Sequence, residues 1–308
     1  MNRKIFLAAM LLALLLLFAA CAGRSAEGDT EGDVPLLWRA TSPAGNSIYL
    51  FGSIHAATPD IYPLPRFIMD AFNRSDYLAV EIDMLHEPSI EEAVAMLIPL
   101  MYDDDRSVVD DIGWELRQRA DSIFAQYGMP WFGDMFKPAM WWVALTQLAV
   151  DLAGWSAEYG IDMYFMRRAA ARNMPILEVE SAESQTQMMA NFSMPLQIAL
   201  LEDIVMAFED IDSGIYEEVD LLDMWLRGDY NMILQASNEE YSRLGQTLAA
   251  EYHNAMMTQR DIHMTQVARE YMAAGMNVFF MVGLMHFIVE GGIIDLLEEG
   301  GYTVERIK

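Results

Sequence analysis

The sequence predicts an α/β fold, with α+β left open: a central sheet of about six strands contributed by both ends of the chain, packed by a large, mainly helical middle segment. Three observations predict it. Short apolar runs bounded by turn residues gather near the two ends of the chain. Residues from about 88 to 274 carry helical periodicity, broken by a single strand-like run at 175–180. The composition is 54% hydrophobic over 308 residues, which leaves about 270 residues after the leader to build one large core.

Taken in order, the chain opens with Arg3 and Lys4, an apolar run from Ile5 to Phe18, then Ala19, Ala20 and Cys21. A basic start, a short apolar stretch and small residues before a cysteine are the layout of an export signal. The expectation is that residues 1–20 are a signal peptide and that Cys21 carries a lipid anchoring the exported chain to the cell-envelope membrane. The competing readings are a plainly cleaved signal or an uncleaved anchor, for which the run is short. Residues 21–34 then form the lipidated cysteine and a polar tether without apolar pattern, and 35–308 a single domain. Cys21 is the only cysteine, so neither an internal disulfide nor a thiolate metal cluster is available.

The strand-like runs are 36–41, 47–52, 77–82, 175–180, 277–283 and 302–306, the first two joined as a hairpin across Ser42-Pro43-Ala44-Gly45-Asn46. The helical patterns are 90–101, 112–127, 135–153, 162–172, 181–208, 217–226 and roughly 239–274. The formal charge is −27, and loss of residues 1–20 removes two basic and no acidic residues, leaving about −29. Such a field repels nucleic acid and anionic lipid heads and favours cations. The 25 methionines raise soft copper binding, but their even spread reads as adaptable core filler. Trp131, Trp141, Trp142 and Trp155 read as core, or as the wall of a ligand cleft.

Two segments share one form: IYLFGSIH, ending at His55, and VFFMVGLMH, ending at His286. Each is a buried-type strand, a glycine, two residues and a histidine, so each imidazole stands just beyond a strand end, where open α/β sheets bind ligands. Two further strands end there in carboxylates, LAVE at Glu81 and ILEVE at Glu180. Each residue alone reads as an ordinary structural group. Together His55, Glu81, Glu180 and His286 form a candidate first shell for a divalent metal ion that keeps a position open for water. In that reading a carboxylate not engaged as ligand takes the proton of the attacking water. His86 could line the site but reads as a solvated loop residue, and His253 and His263 as surface or packing residues of the long helix. Arg260 could reach a substrate carbonyl or form a salt bridge with its neighbour Asp261.

The segments LWRATSPAGNSIYLFGSIH, SDYLAVEID, YGIDMYFMRRAAARNMPILEVESAESQ and VGLMHFIVEGGIIDLLEEGGYTVERI resemble the TraB/GumN family, whose animal members are the Tiki metalloproteases and whose wider relatives include ChaN-like and erythromycin-esterase-like proteins. The resemblance runs from about Leu37 to Ile307. It implies His55, Glu81, Glu180 and His286 as metal-site residues. The family commonly has Glu-Arg-Asn where this chain has Gln259-Arg260-Asp261. Three functions of different class follow. One is a metal-dependent hydrolase, expected to be a peptidase acting on a peptide or protein substrate, with Glu81, Glu180 and Arg260 as catalytic candidates. The second is a non-catalytic lipoprotein that captures haem or a metal ion, with a catalytically silent scaffold as a third. His and carboxylate donors suit manganese, cobalt, zinc and iron alike.

Overall fold

The protein is described by a computed structural model covering residues 36–307 except 130–132 and 214–220. The expected signal, Cys21, the tether and Trp131 lie outside the described residues. All six expected strands form one sheet: β1 (Leu37–Thr41), β2 (Ser47–Ser53), β3 (Tyr77–Val80), β4 (Ile176–Glu178), β5 (Val278–Gly283) and β6 (Thr303–Ile307), in the order β4-β3-β5-β2-β1-β6. β1 runs antiparallel to both β2 and β6, while β2, β5, β3 and β4 run parallel. The hairpin between β1 and β2 closes as expected: the Ser42 carbonyl accepts from Gly45, which has φ 87° as only glycine adopts readily.

The parallel strands sit at the centre because their sequence suits burial on both faces. Every residue of β5, VFFMVG, is buried, the continuous apolar run expected of a central parallel strand. The edge strands β4 and β6 keep partly exposed residues. Asn173, with φ 55°, closes the helix Ile161–Ala171 and turns the chain into β4, a left-handed position that asparagine tolerates. β4 is thus a strand delivered from the helical middle to the sheet built by the two ends.

The helices depart from the expected bounds where backbone chemistry intervenes. The 90–101 pattern ends as an α-helix at Leu97 and tightens to a 3-10 turn, Ile98–Leu100, at Pro99. The 181–208 pattern divides into Ala182–Ala190 and Met194–Ser213, because Ser193 caps the second helix and its N–H and hydroxyl are held by the Glu251 carboxylate at 2.6 and 2.7 Å. The 239–274 pattern divides into Tyr230–Arg243, Gly245–His253, a π-helical turn Asn254–Thr258, and Gln259–Ala273, with Gly245 at φ 73° making the first break. Of the 217–226 pattern the described part is Leu221–Arg227. Short helices at Arg66–Arg74, Met285–Ile288 and Ile293–Glu299 were not expected from periodicity.

Two large apolar clusters result among the described residues, beside a small one of Ala56, Val150 and Ala157. One surrounds the sheet, with Phe51, Phe72, Phe165, Phe279 and Phe280 at its centre. The other lies within the helical middle around Trp141, Trp142 and the Met194–Ser213 helix. Met140, Met189, Met256, Met257, Met264 and Met281 are all buried in these clusters, the packing role expected of them. Among the described residues no helix is long and apolar enough to cross a membrane.

The Leu221–Arg227 helix is locked to the sheet by Trp225, fully buried, whose indole N–H donates to the Gly52 carbonyl at 2.9 Å. Trp225→Phe keeps an aromatic ring against Phe51 but leaves that carbonyl without its donor, which predicts a loss of about 1–3 kcal/mol in urea denaturation. An unchanged midpoint at unchanged slope would show that the Trp225–Gly52 hydrogen bond contributes nothing to stability.

Candidate functional site

Because β2, β5, β3 and β4 are parallel, their carboxyl ends share one edge of the sheet. The ladder continues past β3 and β4: Val179 N–H donates to the Val80 carbonyl and Glu180 N–H to the Glu81 carbonyl, each at 2.9 Å. These bonds fix the two glutamates side by side. His286 lies on the one-turn helix Met285–Ile288 that follows β5, and His55 two residues beyond β2. The structure therefore brings all four sequence-derived residues, with Arg260, to the same edge.

The centre of the cluster is the Glu81 carboxylate. Its Oε1 accepts from the Gly283 N–H at 2.7 Å and lies 3.8 Å from His55 Nε2 and 3.9 Å from His286 Nε2. Its Oε2 accepts from Arg260 Nη2 at 2.6 Å and from Gln185 Nε2 at 3.1 Å. Gly283 makes this convergence sterically possible, since a Cβ there would stand 3.2 Å from Glu81 Oε1 and 3.3 Å from His55 Nε2. Glu180 takes a different position. Its Oε2 accepts from Arg260 Nη2, Arg260 Nε and Gln185 Nε2, and its Oε1 from Arg260 Nε. Arg260 is thus a clamp between the two glutamates and is 6% exposed.

Each imidazole is held from behind by a buried carboxylate. His55 Nδ1 donates to Asp162 Oδ2 at 2.9 Å, and Asp162 Oδ1 accepts from the Ser53 hydroxyl at 2.8 Å. His286 Nδ1 donates to Asp261 Oδ1 at 2.5 Å. A proton on Nδ1 leaves the Nε2 lone pair of a neutral ring facing Glu81. The backbone near His55 is fixed too. Ile161 N–H donates to the Ile54 carbonyl at 3.0 Å, and a Cβ on Gly160 would run into the His55 carbonyl oxygen.

Burial and charge compete at every group. Burial alone would lower the His55 pKa, but the charge and hydrogen bond of Asp162, with Glu81, raise it to about 9. Burial would raise the Glu81 pKa, yet Arg260, the two histidines and the Gly283 N–H hold it well below the usual carboxylate range. Burial pushes Asp261 up, partly offset by His286. Arg260 is raised, its burial outweighed by Glu81 and Glu180.

As the side chains stand, no group of three or more His, Cys, Asp or Glu among the described residues encloses a metal ion. The donors that come nearest to such a set are His55 Nε2, His286 Nε2 and Glu81 Oε1. Two ligands each about 2.1 Å from one ion are at most about 4.2 Å apart, so both histidine-to-Glu81 separations are compatible with a shared ion. Imidazoles backed by carboxylates on the opposite nitrogen are also the usual supports of metal ligands. Glu180 is committed to Arg260 and Gln185, and no ion pair within 4.0 Å joins it to either histidine among the described residues.

Sequence reasoning missed Asp162, Ser53 and Gln185, and it paired Asp261 with Arg260. Consecutive helical residues point about 100° apart, and here Arg260 meets the glutamates while Asp261 meets His286. An acid in the first turn of a predicted helix was the available signal for Asp162, but a favourable helix-end charge accounts for such a residue equally well. The remaining histidines lie apart from the cluster. His86 is exposed beside Glu92, His253 contacts Thr258 Oγ1 at 3.3 Å, and His263 donates to the Val179 carbonyl at 2.8 Å, packing the long helix on the β4 extension.

The sequence is 25% identical over 259 residues to the uncharacterized protein YbaP of Escherichia coli (strain K12), covering 83% of this chain and 90% of that protein. The uncharacterized YbaP of Shigella flexneri matches with the same identity and coverage. No solved structure matches. The sequence model of the TraB/PrgY/gumN family matches residues 36–306, from β1 into β6 and through the helical middle, and the chain accordingly belongs to the TraB/PrgY/gumN family.

Proposed function

We propose that the chain is a divalent-metal-dependent hydrolase of peptide bonds, exported and held at the cell-envelope membrane by a lipid on Cys21. The observation that carries the reading is the aim of the two imidazoles: each has Nδ1 on a buried aspartate and Nε2 directed to the same oxygen of Glu81. His55, His286 and Glu81 would hold the ion, and manganese, cobalt, zinc and iron all suit these donors. A bound ion would supply Lewis acidity for activating water and polarising a carbonyl. The choice of a peptide bond rests on the resemblance to the Tiki metalloproteases.

The chain's own groups divide the remaining work. Asp162 and Asp261 orient the imidazoles. Arg260 fixes both glutamates and holds Glu81 below the usual carboxylate range, which is the role proposed for it in place of direct contact with a substrate carbonyl. Glu180 is the carboxylate left to take a proton, at Oε1, which accepts one contact where Oε2 accepts three. The alternative of a non-catalytic haem or metal lipoprotein is favoured in part by the acidic charge, which attracts cations. Haem itself is disfavoured, because His286 is fully buried and its Nε2 faces a carboxylate oxygen rather than an open cleft.

Metal analysis after dialysis against trace divalent ions, with an amide-hydrolysis assay, tests the reading. His55→Ala and His286→Ala should each lose the metal and the activity while circular dichroism stays near that of the parent, and the double variant should be scarcely worse. Gly283→Ala should lower metal content by crowding Glu81 and His55, and His253→Ala should keep it. Full metal retention by either folded histidine variant would sink the shared site. A metal-loaded parent with no hydrolysis would leave the binding alternative.

Arg260→Met should destabilise the protein by about 3–5 kcal/mol, since it leaves buried carboxylates without their cation. Adding Glu180→Gln should restore part of the loss. The pH profile carries a sign: Glu81 has a depressed folded pKa, so its stabilisation is complete above the unfolded carboxylate pKa of about 4.3 and is lost as the pH falls through the folded value. Arg260→Met should flatten that acid limb, and an unchanged limb would show that Arg260 does not set the Glu81 charge.

For the anchor, Cys21→Ser should move the protein from the membrane fraction to the soluble one, because a hydroxyl cannot form the thioether. A membrane-bound variant that retains residues 1–20 would replace the lipid anchor with an uncleaved segment.

A further inference from the structure

The first described residue, Leu36, is fully buried and enters the fold at the sheet edge that carries the cluster. Its carbonyl accepts from the Gly52 N–H at 3.1 Å, three residues before His55, and Leu37 pairs with Phe51. The Trp38 ring lies 5.5 Å from that of Phe287, the neighbour of His286. Leu284, two residues before His286, presses on Gly52 and donates its N–H to the Ser53 carbonyl at 3.0 Å. The start of β1 therefore lies beside both histidine-bearing turns. Because β1 runs antiparallel to β2, the turn between them, residues 42–46, lies at the opposite edge.

Cys21 and Leu36 are 15 positions apart. A chain of that length spans at most about 54 Å when fully extended and about 21 Å on average as a coil. A domain of about 270 residues measures roughly 48 Å across. To turn the opposite edge toward the bilayer, the connection would have to run along the whole domain near full extension, with the loss of its conformational freedom. With the cluster edge toward the bilayer it need not extend at all. Resting on the anchor and hydrolase readings above, we infer that the cluster faces the membrane that holds Cys21 and that its substrates are extended polypeptide segments attached to that membrane. A mean clearance of about 20 Å admits an extended strand, whereas a folded domain of 100 residues, with a radius of gyration of about 13 Å, is too large to lie between. A segment fixed to the same bilayer is also presented at high effective concentration. The formal charge of −27 opposes adhesion to anionic head groups, so the length of the connection sets the orientation.

The test uses the full lipid-anchored protein, metal-supplied, in phosphatidylcholine vesicles with an energy-transfer acceptor on a fraction of the head groups. The lipid occupies the thiol of Cys21, so a cysteine introduced at Ala44, in the far turn, or at His86, in the exposed loop after Glu81, is the one site that takes a fluorophore. The His86→Cys label should lie about 20 Å nearer the bilayer than the Ala44→Cys label, the rise of the seven residues of β2. Equal heights, or a nearer Ala44 label, overturn the inference while the anchor stands. A parent that does not join the vesicles overturns the anchor and the inference with it. In the same vesicles, mixed-sequence octapeptides are attached to lipid through a Gly/Ser spacer of either about 3 or about 30 residues. The short-spacer peptide should be cut at least as fast as the long-spacer one, and cleavage of the long-spacer peptide alone overturns the substrate class. A nearer His86 label with neither peptide cut would count against the hydrolase and leave the orientation standing.

Discussion

The arrangement depends on the guanidinium of Arg260 between Glu81 and Glu180. Four carboxylates, Glu81, Glu180, Asp162 and Asp261, stand at one sheet edge; Glu81, Asp162 and Asp261 are buried, and Glu180 is held by the buried Arg260. Carboxylates removed from water at this density repel one another and favour protonation unless cations meet them with good geometry. Arg260 supplies four contacts from one planar fork, and a lysine could not address both glutamates in that way. The same side chain donates from Nη1 to the Met256 carbonyl at 3.2 Å, inside the π-helical turn that precedes it. The π turn changes the phase of the long helix just before the residues the site uses, a placement in which such turns often occur at functional sites.

The histidines depend on this clamp at one remove. Glu81 Oε1 can face both imidazoles because its Oε2 is engaged by Arg260 and Gln185, and because Gly283 leaves room in front of it. The repeated strand-glycine-x-x-histidine form thus has unequal halves. In the first, Gly52 is pressed against Leu284 and serves packing; in the second, Gly283 lines the cluster itself and donates its N–H to Glu81. Similar motifs have been set to different tasks by the positions of β2 and β5 relative to β3.

How much of this was legible follows from which interactions are local. The six strands and the edge on which His55, Glu81, Glu180 and His286 meet could be read because strand ends and apolar runs are properties of consecutive residues. Asp162 and Asp261 could not be assigned, since their partners His55 and His286 lie 107 and 25 positions away. Gln185 was invisible for the same reason, its link to Glu81 spanning 104 positions. The helix breaks at 191–193 and 245 turn on a capping contact to Glu251 and on one positive-φ glycine, which periodicity passes over.

These separations also bear on how the site comes into being. Glu81 is bound by groups 179 and 202 positions away, and β5, the strand that places His286, pairs with β2 and β3 across the entire helical middle of the sequence. Non-local contacts of this kind form late, because chain closure must be complete before they reward it. A partly folded chain would therefore hold its carboxylates in water, hydrated and apart, and the cluster would acquire its geometry only with the completed sheet. Folding and the assembly of the candidate centre are in this sense one event, because the helical middle carries β4, Asp162, Gln185 and Arg260 to the edge.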